Sequence, residues 1–349
     1  MADLPLTTLL FTLLCCLVSA TSTTVNVKPG TSIQSAISSA KPGSKIVIEP
    51  GKYYEQLLIT TSDLIISAKA GVILLPPSTF SSNPCSNLAG PGTEAGICIV
   101  GKDVVFADFV KEHRKVLQVG QYIQNVKVEG FEVDSFGLNI AVVGAENAEV
   151  RKNTVHDGIA YGILTVGSKS SLITRNTLHS ADLKFIAICM DDKSDVHVTQ
   201  NVISDYGIAL CVQTNEADVG HNKVSNVCFG VLVDPGVDGA QVTHNHVGAA
   251  NPLCQTLFGG FAGGILVNGA TNAGVRHNDV SGISDFGNVN QTAYGIGLVD
   301  DPQSVATGNQ ITHNTVVGND VDLLVVASGK NEVDHNNCAS SIPEGVCPQ

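Results

Sequence analysis

Apolar residues in this chain recur in short alternating bursts, cut by Gly, Asn and Asp every few positions. Alternation with a period of two over three to six residues predicts β-strands, and the frequent turn residues predict that they are short. A longer period overlies the short one: Val or Ile, two residues, Asn, one residue, then an apolar residue. It fits Val150-Asn153-Val155, Ile173-Asn176-Leu178, Val198-Asn201-Ile203 and Val219-Asn222-Val224. It continues through Val242-Asn245-Val247, Val275-Asn278-Val280, Ile311-Asn314-Val316 and Val333-Asn336-Cys338, with Val128-Phe131-Val133 as a leading copy. Successive anchors lie 22, 23, 25, 21, 23, 33, 36 and 22 residues apart. A unit of this length suits three short strands and three turns, stacked as a solenoid of parallel strands roughly 4.8 Å apart. One Asn per coil then forms a ladder, and Asn tolerates the left-handed conformation such bends need. The two long spacings predict loop insertions near 248–262 and 281–293.

On these repeats the chain resembles right-handed parallel β-helix proteins of the pectin-lyase-like type. The opening VKPGTSIQSAISSAKPGSKIVIEPGKYYEQLLI at 27–59 extends the likeness. The resemblance implies a short N-terminal capping helix near Ile33–Ala40, followed by first coils built on the apolar runs at 46–48, 57–59, 64–66, 72–75 and 97–100. The expected fold is all-β, one parallel β-helix domain at 21–349 with repeats clearest at 126–338.

The residue before each ladder Asn runs Lys152, Arg175, Gln200, His221, His244, His277, His313, His335. A position that accepts Lys, Arg, Gln and His reads as a solvent-facing turn, with the histidines stacked in an exposed file. The alternative is a metal site on His277, His313 and His335, since adjacent coils bring imidazoles close. It lacks the carboxylates and supporting hydrogen bonds that usually frame one.

A second register is an aromatic followed by Gly: Phe136-Gly137, Tyr161-Gly162, Tyr206-Gly207, Phe229-Gly230, Tyr294-Gly295. Taking it as the start of one strand per coil, alternation sends Ile163, Ile208, Leu210, Val231 and Ile265 inward with the aromatics at the corner, and the Gly column outward. Outward with it fall Asn139, Leu164, Ala209, Leu232 and Leu266, then Asp191, Cys211, Asp234 and Asn268. The resemblance implies that this face floors a substrate groove, here apolar with a polar island at Asp191, Asp234 and Asn268. Two strand spacings separate the Asp191 and Asp234 backbones by roughly 9–10 Å. That separation suits an acid and a base around a water in inverting glycoside hydrolysis.

Composition narrows the partners. The 32 acidic residues outnumber 19 Lys plus Arg for a net charge of −13, which disfavours nucleic acid, anionic membrane and acidic polysaccharide. The run Leu9–Val18 followed by Val18-Ser19-Ala20 reads as a secretory signal over 1–20, and no later segment is apolar enough to span a bilayer. Removing Cys15 and Cys16 leaves eight of ten cysteines, an even number suited to disulfides in an exported chain. Cys85 with Cys98 and Cys338 with Cys347 are the local pairs, whereas Cys189, Cys211, Cys228 and Cys254 stay unassigned. Asn290-Gln291-Thr292 is a glycosylation sequon.

Signatures of the better-known pectin-degrading activities are missing, and no cofactor motif occurs. The expected function is a secreted, monomeric carbohydrate-active enzyme on a neutral or weakly charged glycan, with Asp191 and Asp234 catalytic. The alternative is a cyclase-type protein that orients a hydrophobic small metabolite on the apolar floor of Asn139, Leu164, Ala209, Leu232, Leu266 and Asn268. A third is a noncatalytic surface protein.

Overall fold

The computed structural model describes residues 23–257, 259–287 and 292–347. The expected signal segment at 1–20 lies outside these residues, as does the asparagine of the sequon at 290. Three long parallel sheets of 12, 11 and 11 strands form the walls of a solenoid. Each coil contributes one strand to each wall, as Val219–Val242–Val275 do in the first sheet and Val224–Val247–Val280 in the second. The first coils use the predicted apolar runs, in strands Lys45–Ile48, Leu57–Ile59, Ile65–Ala68, Val72–Leu75 and Ala95–Val100.

A helix, Ile33–Ser39, closes the N-terminal end by placing Ile33 and Ile37 over the core. Its first turn is capped twice. Ser32 Oγ accepts from Ser35 N at 3.1 Å, and the Glu55 carboxylate accepts from Ile33 N at 2.9 Å and Gln34 N at 3.1 Å. These oxygens answer donors that have no partner inside the helix. The first long spacing carries a short helix, Cys254–Leu257, and is pinned by a Cys228–Cys254 disulfide. Cys85–Cys98 and Cys338–Cys347 are also bridged.

The ladder lies inside the wall between the first and second sheets, where all eight asparagines are buried. Each side-chain oxygen from Asn176 onward accepts two donors from the preceding ladder Asn: its backbone N–H at 2.9–3.0 Å and its Nδ2 at 2.9–3.1 Å. Each Nδ2 also reaches back to a Val or Ile carbonyl of the coil before, as Asn222 does to Val198 O at 2.8 Å. The bend therefore leaves no buried amide unpaired, which is the condition for a turn inside a core. The left-handed residue is not the asparagine. It is the exposed residue before it, with φ between 53° and 58° from Lys152 to His335. The division of labour is physical: the asparagine must aim both ends of its amide along the stack, while its neighbour makes the turn in water.

The third sheet departs from the expected register. Tyr161 pairs in sequence with Ile186, Ile208, Phe229, Gly263 and Tyr294, so Tyr206-Gly207 and Phe136-Gly137 stand two residues upstream of the other aromatic–Gly pairs. The Gly column is also inward, not outward. A Cβ on Gly162 would lie 2.7 Å from Leu178 Cδ2, and one on Gly230 would lie 2.5 Å from Val247 Cγ1. Leu178 and Val247 belong to the main core, as do Ala187 and Ala209. Two consecutive residues, such as Gly162 and Ile163, thus face inward before alternation resumes. Ile208 and Tyr161 consequently pack on the outer face and Phe136 and Tyr206 in the interior.

Replacing Asn222 by Leu strips an acceptor from Asn201 N and Nδ2 and donors from Val198 O and Asn245 Oδ1. Equilibrium denaturation is expected to show a loss of about 3–5 kcal/mol. His221→Gly, at a position already left-handed, is expected to stay within about 1 kcal/mol of the parent.

Candidate functional site

One feature outside the repeat builds the site. Strands Lys102–Phe106 and Val116–Gln121 pair as an antiparallel hairpin whose loop, 107–115, lies over the outer face of the third sheet. Arg114 holds the loop: its Nε donates to Ala107 O at 2.9 Å, its guanidinium sits 5.0 Å from the Phe106 ring centroid, and its backbone N donates to Leu88 O at 2.8 Å. Val116 presses on Gly167, where a Cβ would lie 2.5 Å from the valine Cβ and φ is +63°. Only glycine allows that approach. Glu112 at φ 61° turns the loop so that consecutive side chains, Glu112 and His113, both reach the sheet.

Beneath the loop the outward column reads Val166, Asp191, Gln213, Asp234, Asn268, Val299 across successive coils. Asp191 and Asp234 are thus two coils apart, as the repeat predicts, with Gln213 just past the strand Tyr206–Val212 between them. His113, 2% exposed, places Nε2 3.1 Å from Asp191 Oδ2 and Nδ1 3.1 Å from the Tyr161 hydroxyl. Burial pushes the Tyr161 hydroxyl far above its ordinary range, so it remains a donor. With Tyr161 donating to Nδ1, the imidazole donates from Nε2 to Asp191. Lys115 Nζ is 3.1 Å from the same carboxylate oxygen and also donates to Gln213 Oε1. The Gln213 amide then donates to Glu112 Oε2 at 2.8 Å and to Asp234 Oδ2 at 2.6 Å.

The two aspartates therefore sit in opposite surroundings. Asp191 has a lysine ammonium and an imidazole N–H at its oxygen. Asp234 is pushed up to about 6, first by burial and next by the facing Glu112 carboxylate, against the smaller help of Gln213, Lys115 and Lys111. The groove between loop and sheet, about 570 Å³, is lined by Lys111, Glu112, His113, Lys115, Asp191, Gln213, Asp234 and residues to Asp301 and Gln303.

The proposed floor is only partly open. Asn139 and Ala209 are interior because of the double inward step, and Asn139 is engaged in the wall: it accepts from Phe136 N at 3.0 Å and donates to His156 O at 2.7 Å. Leu164 faces outward but is fully covered. Leu232, Leu266 and Asn268 remain half-buried on the outer face beyond the groove. His277 and His313 lie 5.3 Å apart between ring centroids with planes tilted by 39°, and His313 stacks on His335 at 5.2 Å, all three exposed to solvent. Among the described residues no group of three or more His, Cys, Asp or Glu side chains is disposed around one metal position.

His113, Lys115, Glu112 and Gln213 carry the site and were not singled out by the repeat. The first three lie on the inserted hairpin. Gln213 was displaced by the two-residue slip, which put Cys211 in its column. The one available signal was local: KEHRK at 111–115 is a charge cluster in a chain that is otherwise short of cations.

Stacked coils and an inserted hairpin over one face define the class: a right-handed parallel β-helix. Residues 79–247 match the family described as the right handed beta helix region. The chain superimposes on DFA-IIIase from Arthrobacter chlorophenolicus A6 in complex with GF2, with a TM-score of 0.55 and 15% identity over 88% of this chain and 93% of that one. It is similar to the Dettilon tailspike protein at a TM-score of 0.58 and 14% identity, covering 91% and 68% of the two chains. It is also similar to XylC in complex with xylose at 0.53 and 12%, covering 89% and 70%. At these identities the shared property is the fold. No curated protein sequence matches the chain.

The raised Asp234 has a consequence for stability. The folded protein holds this proton up to about pH 6, whereas the unfolded chain releases it near 3.8. Between those values the fold binds more protons, so stability falls as pH rises and levels off above 6. Asp234→Asn removes that cost. It is expected to be more stable than the parent by up to about 3 kcal/mol at pH 7 and to lose this advantage below pH 4, read from denaturation midpoints across pH.

Proposed function

We propose that this chain is a carbohydrate-active enzyme that cleaves a neutral or weakly charged glycan, with Asp234 as general acid and Asp191 as general base. The observation that carries the reading is the contrast between the two aspartates: one held protonated to about pH 6, the other paired with Lys115 and His113. Paired carboxyls whose surroundings push them apart are how a site divides acid from base work. Asp234 would protonate the leaving glycosidic oxygen. Asp191 would draw the proton from a water on the opposite side of the sugar, while Lys115 and Gln213 hold the space between them. Two strand spacings set the two backbones roughly 9–10 Å apart, near the carboxyl separation that accompanies inversion. Solved structures of similar fold, DFA-IIIase in complex with GF2 and XylC with xylose, support a glycan as the substrate class. Three disulfides support an exported, oxidising setting.

A second reading rests on the half-buried Leu232 and Leu266 beside the groove, which suit a hydrophobic small metabolite oriented for cyclisation. The two readings separate on the carboxyls. Asp191→Asn and Asp234→Asn are each expected to lower kcat/KM on a glycan by at least about 100-fold with folding intact. The parent rate is expected to fall as pH rises through about 6, where Asp234 gives up its proton. A parent protein inert across a panel of neutral oligosaccharides and polysaccharides overturns the first reading. Binding of apolar metabolites that Leu232→Lys abolishes supports the second.

A further inference from the structure

Three of the four cysteine pairs among the described residues are disulfides, and the fourth pair, Cys189 and Cys211, is left as two thiols. These two are direct partners on adjacent coils of the third sheet. They lie in the outward column that also holds Leu164 and Leu232, under the loop that carries His113. Their sulfurs face each other at 2.6 Å, and the residues are 0% and 2% exposed. Neighbouring parallel strands stand roughly 4.8 Å apart, inside the span of about 4.4–6.8 Å over which disulfides join α-carbons.

We propose that Cys189 and Cys211 form a fourth disulfide, a crosslink between adjacent coils beneath the floor of the site. Each thiol loses a proton and the pair loses two electrons as the sulfur–sulfur bond forms. A disulfide of the folding compartment, protein-borne or glutathione, takes up both and leaves as two thiols. The same compartment closes the other three bridges of this chain. Full burial orders the events: the bond forms before loop 107–115 covers the column, and afterwards that loop keeps reductants away. Asp191 and Gln213 stand two residues beyond Cys189 and Cys211 on the same face. The crosslink thus ties together the two coils on which the centre of the site is built, a role that does not depend on what the site binds.

Peptide mass mapping tests this on the full exported chain, unfolded in denaturant at mildly alkaline pH with iodoacetamide already in excess and no reductant, so that every free thiol is trapped as its thiolate. The expected result is one species joining the Cys189 and Cys211 peptides, lighter than the two thiols by two hydrogens, with neither cysteine alkylated. Cys211→Ser is expected to convert Cys189 into a thiol that alkylates fully after unfolding and resists alkylation while native. Alkylation of both cysteines in most parent molecules, with the other three bridges intact, overturns the proposal. So does linkage of either one to a different cysteine.

Discussion

In seven successive coils, from Asn176 onward, a carboxamide buried at the bend receives two donors from the coil before it and returns one to that coil's carbonyl, as Asn245 does. The rest of the molecule depends on this exchange. A solenoid with bends inside its wall must pair every backbone group there, because an orphaned buried amide costs as much as a core substitution. Asparagine has the acceptor and the donors on one planar group, spaced to match a rise of one strand. The exchange works only if every coil stacks in the same register, so the ladder also fixes which residues of distant coils become neighbours.

Register is what turns scattered aspartates into a site. Asp191, Gln213 and Asp234 are 22 and 21 residues apart in the chain and consecutive in space. The hairpin then makes the column uneven. It delivers a lysine and an imidazole to one end and a carboxylate, Glu112, to the other. At Asp191 the added charges are favourable. At Asp234 burial and like charge outweigh the amide of Gln213 and the lysines, and the proton is retained. The repeat by itself would leave two similar aspartates, and the insertion sets them apart.

How much of this the sequence carries follows from the same division. The first two sheets are legible because the ladder needs asparagine and little else serves. The anchor residues Val150 to Val333 therefore appear in correct phase, and so does the two-coil interval from Asp191 to Asp234. The third sheet has no such obligate residue. Its aromatic–Gly pairs are a packing preference, and Tyr206 fills the interior while Tyr161 fills the outer face, so phasing on them slipped by two residues at Asn139 and Ala209. The left-handed bend was assigned to asparagine when the exposed neighbour takes it, since intrinsic tolerance yielded to the hydrogen-bonding demand on the amide. The hairpin contacts were out of reach for a different reason. His113–Asp191, Lys115–Gln213 and Glu112–Gln213 join residues 78, 98 and 101 apart and belong to no period.

The raised titration of Asp234 is the centre of the account, and carboxyl carbon NMR on the aspartate-labelled protein reads it without any substrate. With the Asp234 resonance assigned by its disappearance in Asp234→Asn, a titration midpoint of about 6 is predicted. A midpoint near the ordinary aspartate value of about 3.9 would contradict the assignment of Asp234 as the acid.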